Sequence, residues 1–265
     1  MPTPKPPVPY FGGKQKIAAK IVALFPEHQH YVEPFCGGLS VLMAKEPSHM
    51  ETVNDLDQDI MTFWRVLRDR PADLERVCAL TPLSRGEALL SANRDDVDEL
   101  ELARRVWVAL TQRRGGQLMN TGFRHNVNPD TRVPMLRYLD GYLGRFAPAV
   151  ERLRHVTLES KPALDIIEKY GAFADTLLYV DPPYLAGTRG TTTAYRHEMK
   201  AETAHRELAD ALHRAKASVV LSGYASPVYD ELYADWNRTE ITASTVQANR
   251  DSRGSSRTEV LWSNR

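Results

Sequence analysis

The chain has 265 residues, which is enough for one large domain or for one domain that carries an insertion. Its 34 basic and 34 acidic residues cancel, so the net charge does not indicate a nucleic-acid-binding protein. Two cysteines are too few for a disulfide framework or a zinc cluster, and no apolar run reaches the roughly 18 residues of a membrane helix. The proline-rich start lacks the apolar core of a signal peptide, so we expect a soluble, cytoplasmic protein that does not bind membranes.

The first quarter of the chain alternates between helical and strand patterns. Apolar spacing predicts helices over 17–25 and 60–69, and a glycine turn that opens a helix over 36–45. Short strands are predicted over 31–35 and 51–57. This alternation favours a parallel α/β sheet.

The middle of the chain differs from both ends. From about residue 71 to 150 the pattern is mainly helical, as over 98–110, and it includes an arginine-rich polar stretch. Alternation then resumes, with strands predicted over 155–160, 176–180, 218–224 and 258–262 and helices over 163–170 and 204–215. We therefore expect an α/β domain made of residues 1–68 and 151–265, interrupted by a mostly helical insertion over 69–150.

The segment "YVEPFCGG" predicts a strand followed by a glycine turn, the arrangement found at nucleoside pockets. Gly37 and Gly38 allow a close approach of the backbone, and the following helix start offers free amides. Asp55 ends the next strand about 20 residues later, the spacing at which an acid accepts ribose hydroxyls. Glu33 would repel a pyrophosphate and suits a cationic ligand such as S-adenosylmethionine. An ordinary strand–helix turn is the alternative.

Two further motifs are ambiguous when each is taken alone. "PYFGGK" (9–14) lacks the first glycine and the Ser or Thr of a phosphate-binding loop, so it is a flexible turn or a cofactor clamp. In a clamp, Tyr10 would stack on the cofactor and Lys14 would meet its carboxylate. "YVDPPY" (179–184) ends an apolar strand with two prolines, which fits a plain turn as well as a site.

Metal chemistry is not expected. His28 and His30 have no Cys or Asp partners close by in the sequence, so they fit a surface loop better than a metal site. The His-x-Glu and Pro-Cys-x-x-Cys pattern of zinc deaminases, another group of base-flipping enzymes, is absent from the sequence.

Taken in order, "PYFGGK", "YVEPFCGG", "NDLD" and "YVDPPY" resemble the motifs of the N6-adenine-specific DNA methyltransferase family, and of its phage and prophage branch in particular. The resemblance covers nearly the whole chain and continues through "VVLSGY" and "RTEVLW". It implies a methyltransferase-type Rossmann sheet with an inserted, mostly helical target-recognition domain. It also implies S-adenosylmethionine as methyl donor, no metal, and N6 of adenine in double-stranded DNA as acceptor. We expect a monomer.

The same resemblance assigns residues to the cofactor. It implies cofactor contacts from Tyr10 and Lys14, and a ribose contact from Asp55. The cofactor pocket is expected to be lined by Glu33, Phe35, Gly37 and Gly38. Relatives of this branch often have an acid that recognises the cofactor's adenine where this chain has Pro162, so no carboxylate is available for that contact at this position.

The catalytic corner implied by the resemblance consists of Asp181, Pro182, Pro183 and Tyr184. In the implied mechanism the target adenine leaves the duplex. The Asp181 carboxylate and the Pro182 carbonyl accept the two amino hydrogens, and Tyr184 stacks on the base. Asp181 would act as an orienting acceptor more than as a strong base.

Positive charge is concentrated between residues 104 and 145, where eight arginines face two acids. A solvated surface is one explanation, and contacts to phosphate and guanine in a recognition insertion are the other. We expect DNA contacts from Arg113, Arg114, Arg124 and Asn126, and from Arg189 in the loop over 185–196. The polar strip over 247–257 is a further candidate for phosphate contacts.

Two alternative functions remain open at this point. One is a cytosine-N4 methyltransferase, whose reaction also involves an exocyclic amine. A Ser at the first position of the catalytic motif would favour cytosine, and the Asp181 found there favours adenine. An inactive DNA-binding protein on the same scaffold is the other alternative, and Pro162 is the feature that favours it. The recognition sequence, and whether the protein works with a restriction enzyme or in phage DNA modification, does not follow from the motifs.

Overall fold

The structure, a computed structural model, describes residues 3–119, 121–131, 133–185, 199, 201–243 and 257–265. Three expectations fall outside these ranges: the DNA contact by Arg189, most of the loop over 185–196, and nearly all of the polar strip over 247–257. For the other predicted elements and site residues, the position in the fold is known.

In the described part of the chain, one mixed sheet contains seven strands: β1 (His30–Glu33), β2 (Met50–Asn54), β3 (Val156–Glu159), β4 (Thr176–Val180), β5 (Ser218–Gly223), β6 (Asn237–Ala243) and β7 (Arg257–Ser263). Their order is β3-β2-β1-β4-β5-β7-β6. The first five are parallel, and β7 is antiparallel to both β5 and β6. The strand order reverses between β1 and β4, and open α/β sheets bind ligands beside the carboxyl ends of such strands.

The helices come from all parts of the described ranges: α1 (Ala18–Val22), α2 (Ser40–Ala44), α3 (Gln58–Asp69), α4 (Pro71–Leu80), α5 (Arg85–Leu90), α6 (Glu99–Gln112), α7 (Met135–Leu143), α8 (Phe146–Leu153), α9 (Ala163–Gly171), α10 (Glu202–Arg214) and α11 (Pro227–Leu232). A 3-10 turn covers Arg114–Gly116. Among these described helices, none combines the length and the apolar character needed to cross a bilayer.

Two apolar clusters cover the two faces of the sheet. Tyr31 and Leu177 belong to the first cluster, and their neighbours Val32 and Leu178 belong to the second. This alternation follows from the strand, in which successive side chains point to opposite faces. β4 and β5 are buried along their whole length, as expected for central strands that are covered on both sides. The predicted α/β class is thus confirmed.

The helical segment between β2 and β3 shares the first cluster with the sheet. α6 packs along α3, and Trp107 of α6 lies in the same core as Trp64 of α3 and Val53 of β2. The segment is helical, as predicted. Its buried residues in this cluster pack together with those of the sheet, so the cluster marks no boundary between two domains. The proposed limits of the insertion at residues 69 and 150 therefore stay a prediction.

The strand β6 was not predicted from the sequence. Its sequence, "NRTEITA", lacks an apolar run, and its pairing with β7 places it at the edge of the sheet. Edge strands carry exposed charged side chains, so they lack the apolar signal of a buried strand. The predicted final strand over 258–262 is confirmed as β7.

Candidate active site

A cavity of about 380 Å³ lies at the carboxyl ends of β1, β2 and β4. Six separate parts of the sequence contribute to its wall: the N-terminal loop, the glycine turn after β1, residues 55–57 after β2, residues 162–164 at the start of α9, the end of β4 with the segment after it, and residues between 199 and 208. The cavity is lined by all seven predicted cofactor residues and two of the predicted catalytic residues: Tyr10, Lys14, Glu33, Phe35, Gly37, Gly38, Asp55, Asp181 and Pro183. The structure therefore brings together residues that are up to about 170 positions apart in the chain.

The two glycines of the turn make room for Tyr10. Gly37 has a φ of +42°, and a Cβ built on it would lie 2.6 Å from Cε1 of the Tyr10 ring. A Cβ on Gly38 would lie 2.6 Å from Cβ of Tyr10. Real Cβ atoms do not approach so closely, so the glycines are required by the packing of this tyrosine against the turn as well as by the left-handed backbone.

Asp55 fixes the shape of the glycine turn. Its Oδ2 accepts a hydrogen bond of 2.9 Å from the amide of Gly37, and its Oδ1 accepts one of 2.9 Å from the amide of Asp57. On the other side of the turn, Nε1 of Trp64 donates to the carbonyl of Gly37 at 2.9 Å. The Asp55 carboxylate thus has a structural role in the wall of the cavity, whatever ligand it meets.

Glu33 ends β1 with a carboxyl group that is almost fully buried. The hydroxyl of Tyr31 donates to its Oε2 at 3.2 Å, and the residue is 3% exposed. Burial raises the pKa of Glu33 well above its ordinary value, and the charge of Asp181 adds to the rise. Burial therefore favours the protonated form of the Glu33 carboxyl while no cation lies beside it.

Lys14 points to the catalytic corner. Its Nζ lies 2.7 Å from Oδ1 and 2.6 Å from Oδ2 of Asp181, and 3.1 Å from the carbonyl of Gly12. Burial raises the pKa of Asp181 to about 6, while the Lys14 ammonium acts in the opposite direction. The sequence predicted a cofactor contact for Lys14, and the structure adds an ion pair with Asp181 that no motif indicated.

The remainder of the corner is mostly buried, and Pro183 is its half-buried residue at the cavity wall. Pro182 is buried, and Tyr184 is 8% exposed. The Tyr184 hydroxyl lies 2.6 Å from Nζ of Lys14 and donates to Oε1 of Glu259 at 2.9 Å. Its ring packs against the half-buried ring of Tyr224, with 4.4 Å between the centroids. The corner is thus a hydrogen-bonded unit with two aromatic rings.

Sequence reasoning missed two polar residues of this unit. Glu259 on β7 is 6% exposed, and it accepts a hydrogen bond of 2.6 Å from Oγ of the fully buried Ser222 on β5. The signal was present in the sequence. "VVLSGY" places Ser222 within an apolar strand, and in "RTEVLW" Glu259 directly precedes an apolar run; polar residues at such positions need a buried partner.

Pro162 lines the cavity where the family resemblance led us to look for an acid. It is the residue before α9, and Ala163 and Leu164 line the cavity beside it. The amide of Asp165 donates to the carbonyl of Pro162 at 3.1 Å, and Asp165 is not among the residues that line the cavity. This part of the wall is therefore apolar.

The predicted DNA-contacting arginines differ in their surroundings. Arg113 is 1% exposed and its Nε donates to the carbonyl of Thr121 at 3.1 Å, so it lies inside the protein and not at the surface expected for a DNA contact. Arg114 is exposed. The guanidinium of Arg124 lies 4.0 Å from the centre of the Tyr138 ring. Of the residues on this loop that were predicted to contact DNA, Arg113 is thus the one whose side chain is buried in the protein interior.

The loop that carries these residues is well connected. The Arg114 amide donates to the carbonyl of Gly122 at 2.9 Å, and the Asn126 side chain accepts from the Met135 amide at the start of α7 at 2.7 Å. The Phe11 amide donates to the carbonyl of Gly116 at 2.8 Å. Because Phe11 lines the cavity, this 113–126 loop adjoins the wall of the candidate site.

Other arginines of the positive segment are used within the fold. Arg104 pairs with Glu87 and Glu101, and Arg105 also pairs with Glu101. Arg145 donates to the carbonyl of Pro6 at 3.0 Å.

Within the described ranges, no group of three or more His, Cys, Asp and Glu side chains is arranged to hold a metal ion.

Comparison with known proteins agrees with this arrangement. The family model described as D12 class N6 adenine-specific DNA methyltransferase matches residues 10–247. The Type II methyltransferase M1.LlaDCHI of Lactococcus lactis subsp. cremoris is 25% identical over 293 residues, covering 98% of this chain and 95% of the relative. The solved structure of precorrin 8W decarboxylase, the product of gene MT0146 of Methanobacterium thermoautotrophicum, matches 93% of this chain and 88% of that chain with 12% identity. Its TM-score of 0.39 is too low to support an argument. From the Tyr10 loop to beyond β6, this chain matches the family model and belongs to the D12 class N6 adenine-specific DNA methyltransferase family, whose reaction implies the use of S-adenosylmethionine.

Proposed function

We propose that the chain methylates N6 of adenine at specific sites in double-stranded DNA, and that the cavity beside Asp181 is where the reaction takes place. Family membership supports the reaction, and the name of the Lactococcus relative supports a Type II enzyme. The observation that carries the assignment of the site is the convergence of Asp181 with the predicted cofactor residues on one cavity.

The lining of the cavity fits a cationic and partly apolar ligand. Phe35, Leu56 and Pro162 offer apolar surface for an adenine ring. Lys14 lies between the carboxylates of Asp181 and Glu259, so this buried group has one excess negative charge that a cation would balance. When bound, S-adenosylmethionine supplies an electrophilic methyl group on a sulfonium.

The role of the catalytic corner is to hold the target amino group. The base has to leave the duplex, which costs about a few kcal/mol, before its amino group can reach the cavity. We infer that the Asp181 carboxylate and the Pro182 carbonyl accept its two hydrogens, which frees the nitrogen lone pair from the ring. The fixed φ of proline and the burial of Pro182 keep this carbonyl in place. Such positioning lowers the barrier without a strong base.

The aromatic pair beside Asp181 supports stacking on the extruded base. Tyr184 is the predicted stacking residue, but its hydroxyl is bound and one side of its ring is covered by Tyr224. Tyr224 is the more exposed ring of the two. We propose that the two rings act as one platform, on which stacking contributes about 1–3 kcal/mol.

We also propose that residues 69–150 provide target recognition, through the 113–126 loop. We propose that Arg114, Arg124 and Asn126 contact DNA, and that Arg113 supports the loop from within. Arginine suits both phosphate contacts and guanine edges. The hydrogen bond between this loop and Phe11, which lines the cavity, supports a recognition role close to the reaction.

Mass spectrometry of nucleosides tests the proposed function. The purified protein is incubated with unmethylated DNA and S-adenosylmethionine, and the DNA is then digested and analysed. We expect 6-methyladenine from the wild type and none from Asp181→Ala. Asp175→Asn, an exposed substitution before the same strand, is the matched control and should retain activity.

Other products would contradict the proposal. Formation of 4-methylcytosine would keep the cavity and overturn the substrate. DNA binding without any methylated base, and without binding of S-adenosylmethionine, would support the inactive DNA-binding protein that the missing acid at Pro162 suggested.

A further inference from the structure

Lys14 lies between two buried carboxylates. Its Nζ is 2.6 Å from Oδ2 of Asp181 and 3.6 Å from Oε1 of Glu259. The three side chains are 5%, 18% and 8% exposed, in the order Lys14, Asp181 and Glu259. Away from bulk water, the attraction of one ammonium for two anions depends strongly on distance, so a small shift of Nζ towards one carboxylate weakens its hold on the other.

Glu259 is the fixed member of this group. Its Oε1 accepts hydrogen bonds from the Tyr184 hydroxyl at 2.9 Å and from Oγ of Ser222 at 2.6 Å. It lies on β7, which is paired on both sides, with β5 and with β6. Lys14, by contrast, has a long side chain with four rotatable bonds on a loop. The ammonium is therefore the part that is able to move.

Such a movement would make Asp181 a stronger acceptor for the target amino group of the proposed reaction. Nζ of Lys14 lies within hydrogen-bond distance of both oxygens of Asp181. A target amino group needs one of these oxygens as an acceptor. An ammonium that remains shared between both oxygens would compete with it directly.

We propose that Glu259 is a positioning residue: it offers Lys14 a second anionic partner, so that the ammonium can release an Asp181 oxygen to the target amino group. This role rests on the proposed function of Asp181 in methyl transfer. Glu259 acts through Lys14 and does not itself touch the substrate.

The pH dependence of kcat/KM should depend on the charge of Glu259. Burial raises the pKa of Asp181 to about 6, and the charge of Glu259 contributes to the rise. The titratable or charged groups whose fields act on Asp181 are Lys14, Glu33, Tyr179, Tyr184 and Glu259. Since the ionised carboxylate is the stronger hydrogen-bond acceptor, kcat/KM should be about half of its maximum near pH 6 and fall further as the pH drops.

The test uses Glu259→Gln, which keeps an oxygen for Tyr184 and Ser222 but removes the charge. We expect kcat to fall by about tenfold or more, with a much smaller change in KM for DNA. The acid limb of kcat/KM should move to lower pH, because the negative charge that raised the pKa of Asp181 is gone. A purely structural role would lower stability without moving this limb.

Two variants serve as controls. Glu240→Gln removes an exposed carboxylate on β6, at the position paired with Val260, and should keep the wild-type rate and pH profile. Ser222→Ala removes one hydrogen bond of Glu259 and keeps its charge, so the acid limb should stay in place.

A folded Glu259→Gln protein with the kcat and acid limb of the wild type would overturn the positioning role of Glu259. The proposed function would stand in that case, because the wild type still makes 6-methyladenine. If that variant does not fold, Glu259→Asp provides the same test. Because aspartate is one methylene shorter than glutamate, its negative charge lies farther from Lys14. An unchanged kcat and an unchanged acid limb of kcat/KM would again contradict the role. A wild-type protein that makes no 6-methyladenine would contradict the proposed function, and this inference with it.

Discussion

Glu33 holds a carboxyl group whose environment favours the neutral form, and a bound cation would favour the charged form. Its burial and the nearby charge of Asp181 both raise its pKa well above the ordinary value. Because this pKa exceeds that of the unfolded chain, the folded state binds the extra proton and Glu33 makes folding less favourable as the pH rises. A cation bound beside Glu33 reverses the shift and expels the proton.

Calorimetry can detect this proton. Binding of S-adenosylmethionine to the wild type at pH 7 should release a proton, which appears as a difference in binding enthalpy between phosphate and Tris buffers. Glu33→Gln should bind about tenfold more weakly, about 1.4 kcal/mol, and release no proton from this site. Its melting temperature should change little, since Gln replaces a neutral carboxyl of the same shape. Equal proton release by both proteins would contradict the role of Glu33.

The glycine turn offers a second test at the scale of one residue. Gly37→Ala places a Cβ 2.6 Å from the Tyr10 ring at a φ of +42°, so it should destabilise the fold by about 1–3 kcal/mol and weaken cofactor binding. Gly141→Ala on α7 is the control, since a Cβ there meets nothing within 4 Å. The control should stabilise the protein by about 0.5–1 kcal/mol. Thermal unfolding and cofactor titration of the two variants give the answer, and equal behaviour would refute the packing argument.

At the scale of the elements, the sequence predicted those that bury apolar side chains. The central strands β4 and β5 are continuous apolar runs, and the helices α3 and α6 show the helical spacing. The edge strand β6 gave no such signal because most of its described side chains face solvent and Ile241 is buried among them. Element prediction thus succeeded where burial determines the sequence, and failed where it does not.

The site was predicted to the extent that its motifs are local. The turn after β1 and the corner after β4 could be read from consecutive residues. The Lys14–Asp181 pair joins residues 167 positions apart, and the Tyr184–Glu259 bond spans 75 positions, so neither follows from spacing. The charge pattern around Arg113 was also insufficient, because a basic residue in sequence does not reveal whether its guanidinium is buried.

The attachment of α8 to β2 gives a prediction for a pair of elements. Arg152 of α8 donates to Glu51 of β2, with 2.7 Å between Nη2 and Oε1, and Lys45 binds the same carboxylate at 3.0 Å. Both members of the Arg152–Glu51 pair are buried. Arg152→Met leaves Glu51 with a weaker set of donors, so we expect a loss of about 3 kcal/mol in the free energy of unfolding.

The control for this prediction lies two residues further along. Arg154 pairs with Glu151 at the surface, where both side chains are mostly exposed. Arg154→Met should therefore change stability by less than about 0.5 kcal/mol. Urea unfolding of both variants tests the difference. A similar loss in the two proteins would mean that the buried pair does not anchor α8.

At the scale of the whole molecule, zero net charge conceals two regions of opposite sign. The cavity wall contains the acids Asp55, Asp57 and Asp181, and the 113–126 loop contains Arg114 and Arg124. The contact between Phe11 and Gly116 joins the two regions. The molecule thus offers a negative cavity to a cationic cofactor and a positive loop to DNA.

DNA binding tests the positive region. Arg124→Ala should weaken DNA binding by about 1–3 kcal/mol if Arg124 reads a base, and it should lower the slope of affinity against salt by about one if it contacts phosphate. Arg154→Ala is the control. Arg154 lies just before β3, at the amino ends of the parallel strands, whereas the cavity lies at their carboxyl ends. Titrations at several salt concentrations distinguish the two contacts. An Arg124→Ala protein with unchanged affinity and slope would exclude Arg124 from the DNA interface.

The most direct test of the account as a whole is a single-turnover measurement of methyl transfer to adenine, with wild type and Asp181→Ala each saturated with S-adenosylmethionine and DNA. We expect that the variant still binds S-adenosylmethionine, while its rate of transfer falls by at least about a hundredfold because the target amino group loses its acceptor. A transfer rate in Asp181→Ala close to that of the wild type would contradict the assignment of this cavity as the active site.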